Sequence, residues 1–318
     1  MKSRLEMFRL APLAAGLSTL FGLTAAGTPL LASTTHTISS CDDGVSAAAT
    51  PGTLRYEVTH AAPTDAIDVT NIPTVCGTSY ITLYSGELPI TQSALAIFGS
   101  GKEAIRPIRG RIFHHSGIGT LSISDLTIES GYYISDYSSK NADGGCIYSA
   151  GSVTLTNSSV IDCEARIYKP SGGSPRARGG GIFAKGHVTL TGSSVSGNLA
   201  DVAYAAAPAA GFAAMGGGIY AGSVTADYST IAGNTATYLA NATTTTCFGG
   251  GVYTTGSLSA THSTLADNHT LGAGSRAGGA VVIGALTLDS STVSGNSSLV
   301  TGGIIQSGSG SYTKVINS

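Results

Sequence analysis

Apolar positions in the second half of the chain alternate in short bursts that break and restart at regular places. Six eight-residue blocks, 121–128, 153–160, 188–195, 224–231, 258–265 and 286–293, align as columns. The first column is Leu121, Val153, Val188, Val224, Leu258 and Leu286; the third is Ile123, Leu155, Leu190, Ala226, Ala260 and Leu288. The eighth is Ile128, Val160, Val195, Ile231, Leu265 and Val293. Alternation at period two marks strands whose columns share one interior. The phase slips between the third and eighth columns, where Asn157, Gly192, His262 and Ser290 stand, and this predicts a corner between two short strands. A second corner follows at Gly197-Asn198, Gly233-Asn234, Asp267-Asn268 and Gly295-Asn296. Asn tolerates the left-handed conformation and bonds local backbone. Stacked at one corner, such amides are expected to bond their counterparts above and below, as in cross-β ladders.

Between blocks a glycine doublet followed by apolar residues returns six times, at Gly144-Gly145, Gly179-Gly180, Gly216-Gly217, Gly249-Gly250, Gly278-Gly279 and Gly302-Gly303. Self-similarity at this period marks a solenoid, whose units bury their apolar faces only by stacking. The predicted fold is all-β: a parallel β-solenoid with three short strands per turn, each coil supplying the return connection. Ser158, Ser193, Ser229, Ser263 and Ser291 then form an internal hydroxyl column rather than a reactive set. First-column residues are spaced by 32, 35, 36, 34 and 28. The variation lies between the Asn corner and the next doublet, so these insertions should stack as a shelf along one side, where repeat proteins carry binding surfaces. Residues 53–62 read as a short helix with Thr53 as N-cap and Leu54 and Val58 on its buried side, capping the first rung. The chain stops at Asn317-Ser318 inside another strand block, which reads as an incomplete last coil.

The doublet, the Ser/Thr-rich strand and the Gly-Asn corner resemble bacterial right-handed parallel β-helix repeat proteins. They are also similar to repeats of chlamydial-type polymorphic outer-membrane proteins. Gly52-Thr53-Leu54-Arg55-Tyr56 resembles the Gly-Ser-Leu-Arg segment opening many such domains. Residues 81–83, 86–91 and 97–101 resemble their first turns. The resemblance covers residues 50 to 318 and implies a right-handed, single-stranded β-helix that is exported or displayed at a surface such as the outer membrane. Likeness of fold does not transmit function.

Residues 1–32 combine Lys2, Arg4 and Arg9 with an apolar run ending in small residues, the pattern of a secretory signal peptide. As a membrane span it is poor, broken by Pro12, Gly16, Gly22 and Gly27, and no other transmembrane candidate follows. Residues 33–65 are then an arm and cap, and 66–318 the β-helix. Setting aside Lys2, Arg4, Arg9 and Glu6 takes the formal net charge from −2 to −4, which argues against nucleic acid as partner. In an exported chain cysteines are read first as disulfides. Cys41 and Cys76 are expected to pair, as are Cys146 and Cys163, with Cys163 in the ladder Asn position. Cys247 is left over, as a buried thiol or an intermolecular link.

Parallel β-helices also host polysaccharide lyases and hydrolases. A hydrolase needs two carboxylates across a cleft; a calcium-dependent lyase needs clustered acids and a basic proton acceptor. Asp125, Asp227 and Asp289 fall near one corner but are separated by coils carrying Asn157, Gly192 and His262. Asp136 and Asp143 share a loop, and Asp162 and Glu164 flank Cys163. None makes an acidic cluster with an aligned cation, so no catalytic residue, cofactor site or metal site is assigned. His187 reads as a corner residue. Two binding features remain. Tyr148, Phe183, Tyr220 and Tyr253 form an outward stripe, either a sugar-stacking surface or a ladder covered by the insertions. Arg166, Lys169, Arg176 and Arg178 make residues 164–178 basic, a solvated loop or a contact for acidic glycan or lipid. Residues 199–215 are Ala-rich with Tyr204 and Phe212, able to fold over the stripe or to meet a partner. The expectation is a secreted or surface-displayed protein that binds glycans or envelope molecules, or serves structurally. The alternative is a lyase or hydrolase of an acidic polysaccharide.

Overall fold

The computed structural model describes residues 33–44, 50–136, 141–168, 174–203, 213–239, 246–308 and 311–318. The leader, Lys169, Tyr204 and Phe212 lie outside them. Three long sheets wrap one core, and every strand pair in them is parallel. The front sheet has ten strands, Thr35–Thr37 to Thr313–Ile316, and carries the first and third columns. A side sheet of eight strands, Tyr80–Leu83 to Thr292–Ser294, carries the eighth column. A back sheet of eight strands, Leu88–Ile90 to Ile304–Gln306, follows the glycine doublets and turns Ile147, Ile182, Ile219 and Val252 inward. The register places like on like: Val153 opposite Leu121 and Val188, and Leu155 opposite Ile123 and Leu190.

Both expected corners form. Asn157, Gly192, His262 and Ser290 have positive φ at the first corner, as do Asp125 and Tyr228. The ring of Tyr228 stacks on that of His262 at 4.5 Å, so even bulky residues in this position pack along the column. At the second corner the side chains of Asn198, Asn234 and Asn268 are buried and that of Asn296 is half-buried. The Nδ2 of Asn234 donates to Asn268 Oδ1 at 2.9 Å and to the Val195 carbonyl at 2.9 Å, and Asn198 and Asn268 repeat the arrangement. The serine column is also internal: the Ser158 N–H donates to Ser193 Oγ, Ser193 to Ser229, Ser229 to Ser263 and Ser263 to Ser291.

One glycine column explains the Asn column. A Cβ on Gly181 would meet Asn198 Cγ at 2.9 Å, and one on Gly218 or Gly251 would meet Asn234 or Asn268 at the same distance. In the coil where Cys146 replaces that glycine, Cys163 replaces the Asn, and the two form a disulfide. The second disulfide joins Cys41 and Cys76. Cys247 is buried and free, the first of its two expected states.

Helix α1, Leu54–His60, starts where Thr53 Oγ1 accepts the Tyr56 N–H and buries Leu54 and Val58. Gln92 Nε2 donates to the Val58 and Ala61 carbonyls, satisfying its C-terminal end. Arg55 makes paired bonds to buried Asp43 at 2.7 and 2.9 Å and donates to the Gly86 and Glu87 carbonyls. A second helix, α2, spans Ile72–Cys76. No helix of the described residues is long and apolar enough to cross a membrane.

The insertions are more ordered than loops. Four of them leave the Asn corner as one strand and return to the next doublet as another, a fifth contributes an outgoing strand alone, and these strands stack into two further parallel sheets. The outgoing sheet holds Tyr132–Asp136, Glu164–Tyr168, Leu199–Ala203, Thr235–Leu239 and His269–Leu271. The returning sheet holds Ala142–Asp143, Arg176–Arg178, Ala213–Met215 and Thr246–Phe248. Ala165, Ile167, Ala177, Ala200, Val202, Ala214, Ala236, Tyr238 and Cys247 pack between them as a second core. The insertions thus form a fin of two sheets. Ala200 and Ala214, from residues 199–215, fill this core because two sheets at close range need small side chains between them.

Candidate functional site

The back sheet turns Tyr148, Phe183, Tyr220 and Tyr253 outward beside the returning sheet of the fin. Their rings stack face to face along the column at 5.3, 5.3 and 5.2 Å, with interplanar angles of 10°, 12° and 3°. Each such pair adds about 1 kcal/mol beyond its burial. His114 closes one end edge-on to Tyr148. Phe248 meets Tyr253 edge-on, and Arg178 lies over both Phe183 and Tyr220 at 4.7 and 5.1 Å. Phe183 is only 3% exposed. The ring faces within the column serve one another, leaving edges rather than faces for a sugar.

Two ionic groups flank this column, and a third lies elsewhere on the fin. Arg178 makes paired bonds to Asp143 at 2.8 and 2.7 Å. Burial raises the Asp143 pKa and Arg178 works against that rise. Burial likewise disfavours the Arg178 charge, but Asp143 outweighs it and holds the guanidinium above its ordinary value. Buried Arg111 bonds Glu87 Oε2 at 2.7 Å and the Asp143 and Gly144 carbonyls, with its guanidinium 4.1 Å from the Tyr133 ring. Burial pushes Glu87 upward, yet the hydrogen bond from His114 and the charges of Arg111 and His114 hold it below the usual carboxylate range.

The third group lies on the outgoing sheet, on the face away from the second core. The Nε of Arg166 donates to Asp201 Oδ2 at 2.9 Å and stands 2.6 Å from Glu164 Oε1. Burial, chiefly, raises the pKa of both carboxyls. Asp201 is 1% exposed and its Oδ1 has no hydrogen-bond partner among the described residues. Two carboxylates therefore straddle one guanidinium, but Asp201 is closed to a polymer. This arrangement fastens adjacent coils.

Among the described residues, Arg166, Arg176 and Arg178 do not form a common patch. Arg166 and Arg178 sit in different sheets, each bound to acids of a neighbouring coil, while Arg176 is exposed at the start of its strand. Among the candidate acids, Asp125, Asp227 and Asp289 are at the front-sheet corner and Asp162 has positive φ at the Asn corner. The side chain of Asp136 lies outside the described residues. His187 opens a front-sheet strand, its Nδ1 is 2.6 Å from Ser223 Oγ, and burial lowers its pKa. Burial pushes the Cys247 thiol up to about 12, leaving it protonated at neutral pH. Among the described residues no three His, Cys, Asp or Glu side chains are grouped to hold a metal ion.

Sequence reasoning overlooked Asp201 as a partner and Arg111 altogether. The signal for the first was present: Arg166 to Asp201 and Asp143 to Arg178 are each 35 residues apart, one coil. Arg111 precedes the first doublet, so no column contains it.

Fold and fin together define the class, a disulfide-bonded, all-β parallel solenoid with a lateral two-sheet fin. Comparison with family models, curated proteins and solved structures found no match for the chain. Disulfides of this kind belong to an extracellular or otherwise non-cytoplasmic setting.

Proposed function

We propose that the protein is an exported, surface-displayed solenoid that binds glycans or envelope molecules without transforming them, in an adhesive or structural role. The observation that carries this reading is the state of the charged side chains: Arg178 with Asp143, Arg111 with Glu87, and Arg166 with Glu164 and Asp201 are engaged with one another. Perturbed pKa values cluster at catalytic sites, but here burial and strand stacking account for them. The leader pattern and the two disulfides support export. The front sheet adds an outward column of hydroxyls, Ser122, Thr154, Thr189, Thr225, Ser259 and Thr287, suited to neutral hydrogen-bonding partners.

The test is binding of the purified chain to a glycan array and to envelope preparations, alongside incubation with uronic-acid polymers. Saturable retention without new reducing ends or absorbance at 235 nm is the expected result. Polymer cleavage that Asp143→Asn abolishes in a folded protein would replace this reading with the enzymatic one.

A further inference from the structure

The fin begins abruptly. Its outgoing sheet starts at Tyr132–Asp136, which among the described residues has a strand neighbour on one side only, Glu164–Tyr168, and on the other a single antiparallel bridge between Tyr132 and Gly110 that leaves Ile134 unpaired. The preceding coil passes from the side-sheet strand Ala104–Pro107 to the back-sheet strand Phe113–His115 through residues 108–112, too few to build a fin strand. Where such a strand would lie there is a recess of about 480 Å³ lined by Arg109, Gly110, Tyr132, Tyr133 and Ile134. This volume falls within the ordinary range of ligand sites, about 300–1,000 Å³.

The backbone at this edge is directional. The Tyr132 N–H points away from the sheet and donates to the Gly110 carbonyl at 2.9 Å. Strand geometry alternates, so Ile134 turns its N–H and C=O toward the same open side. Beside them stands Arg109, exposed, whose side chain has no ion pair or hydrogen bond among the described residues. Its neighbours differ: Arg106 lies over Tyr80 and Arg111 is bound to Glu87. Ile108, next in the turn, is 59% exposed.

We propose that this edge captures an extended, carboxylate-bearing peptide segment of a partner protein. The segment adds as the missing first strand of the outgoing sheet, and its carboxylate meets Arg109. Strand addition to an open edge draws affinity from main-chain hydrogen bonds and specificity from alternate side chains. A peptide backbone supplies donors and acceptors in the alternation that Ile134 presents, which a sugar does not; this favours a peptide over an acidic glycan. The pattern to be matched is that of the fin strands, small apolar residues alternating toward the second core, as Ala200 and Val202 do around Asp201. This inference rests on the binding reading above and narrows its partner.

The probe is a capped peptide, Asn-Leu-Ala-Asp-Val-Ala, copied from the fin itself, titrated into the full chain by fluorescence anisotropy with amide exchange read in parallel. Expected are one-to-one binding, slowed exchange of the Ile134 amide, and at least tenfold weaker binding both for Arg109→Gln and for the Asp-to-Asn peptide. Arg276→Gln, an exposed cation elsewhere, should stay within twofold of the wild type. An equal loss with Arg276→Gln, protection elsewhere than at Ile134, or no peptide binding overturns the proposal. So does Arg109-dependent binding of trigalacturonate in place of the peptide. If the wild-type chain still binds the array or envelope preparations in these cases, the edge proposal alone falls; if it binds neither, the broader reading falls too.

Discussion

Asn234 belongs to two coils at once. Its Oδ1 accepts from the Asn198 backbone N–H and from Asn198 Nδ2, while its own Nδ2 bonds Val195 and Asn268. Asn234→Ala would leave several buried groups without partners, a loss of about 3 kcal/mol at one to three per unsatisfied group. The expected result is a lower urea midpoint with an unchanged slope; an unchanged midpoint would mean the ladder contributes nothing. His36 offers a different residue-scale test. Its Nδ1 is 2.8 Å from Glu57 and its Nε2 3.1 Å from Asp65. Burial opposes its charge, but these two acids outweigh burial and raise its pKa above the ordinary value. Backbone N–H groups of Thr34 and Ala62 lead the causes that lower Asp65. A raised histidine stabilises fully below its unfolded pKa, about 6.5, and that stability is lost as pH rises through the folded value. The lowered Asp65 contributes above its unfolded pKa and loses that contribution in acid. The arm Thr35–Thr37 should therefore be held most firmly between the carboxylate range and neutrality. Amide exchange there, corrected for intrinsic rate, should quicken as pH rises past neutrality, and His36→Gln should abolish that dependence.

Among elements, the corners were legible because a φ requirement and a buried amide leave residue-type columns. Thr53 and the 53–62 segment were legible for the same reason, since a helix N-cap has its own chemistry. The Cys146–Cys163 pair was legible from position, but its cause lay in the partner column: glycine faces Asn in other coils, and here cysteine faces cysteine. This pair closes a loop of 17 residues. Its replacement in Cys146→Ser/Cys163→Ser should remove about 3 kcal/mol by the chain-entropy relation. Calorimetry should show a lowered melting temperature for the variant, which keeps the Cys41–Cys76 link and should stay above the fully reduced wild type. A variant as stable as the oxidised protein would show that the link adds nothing to the stacking.

At the scale of the whole molecule, the three main sheets could be read from alternation, whereas the fin could not. Its strands are three to five residues long apart from the two-residue Ala142–Asp143, rich in Ala, and joined by connections of unequal length. Period-two patterns this short carry little signal. The ion pairs were hidden for a related reason, since they join residues one coil apart and need the register before they can be seen. Register is thus the premise beneath the core, the ladders and the closed charges. A slip of one residue would turn every interior column outward.

That premise can be measured directly by paired cysteine substitutions on the outward face of the front sheet, in a Cys247→Ala background. Thr154 stands opposite Thr189, at the usual inter-strand distance of about 4.8 Å, within disulfide reach. Thr191 is two residues further along, so its distance from Thr154 is about 8 Å. Mass spectrometry after mild oxidation should find Thr154→Cys linked to Thr189→Cys, and both thiols free in the Thr154→Cys/Thr191→Cys protein. Linkage in the second pair with free thiols in the first would contradict the account.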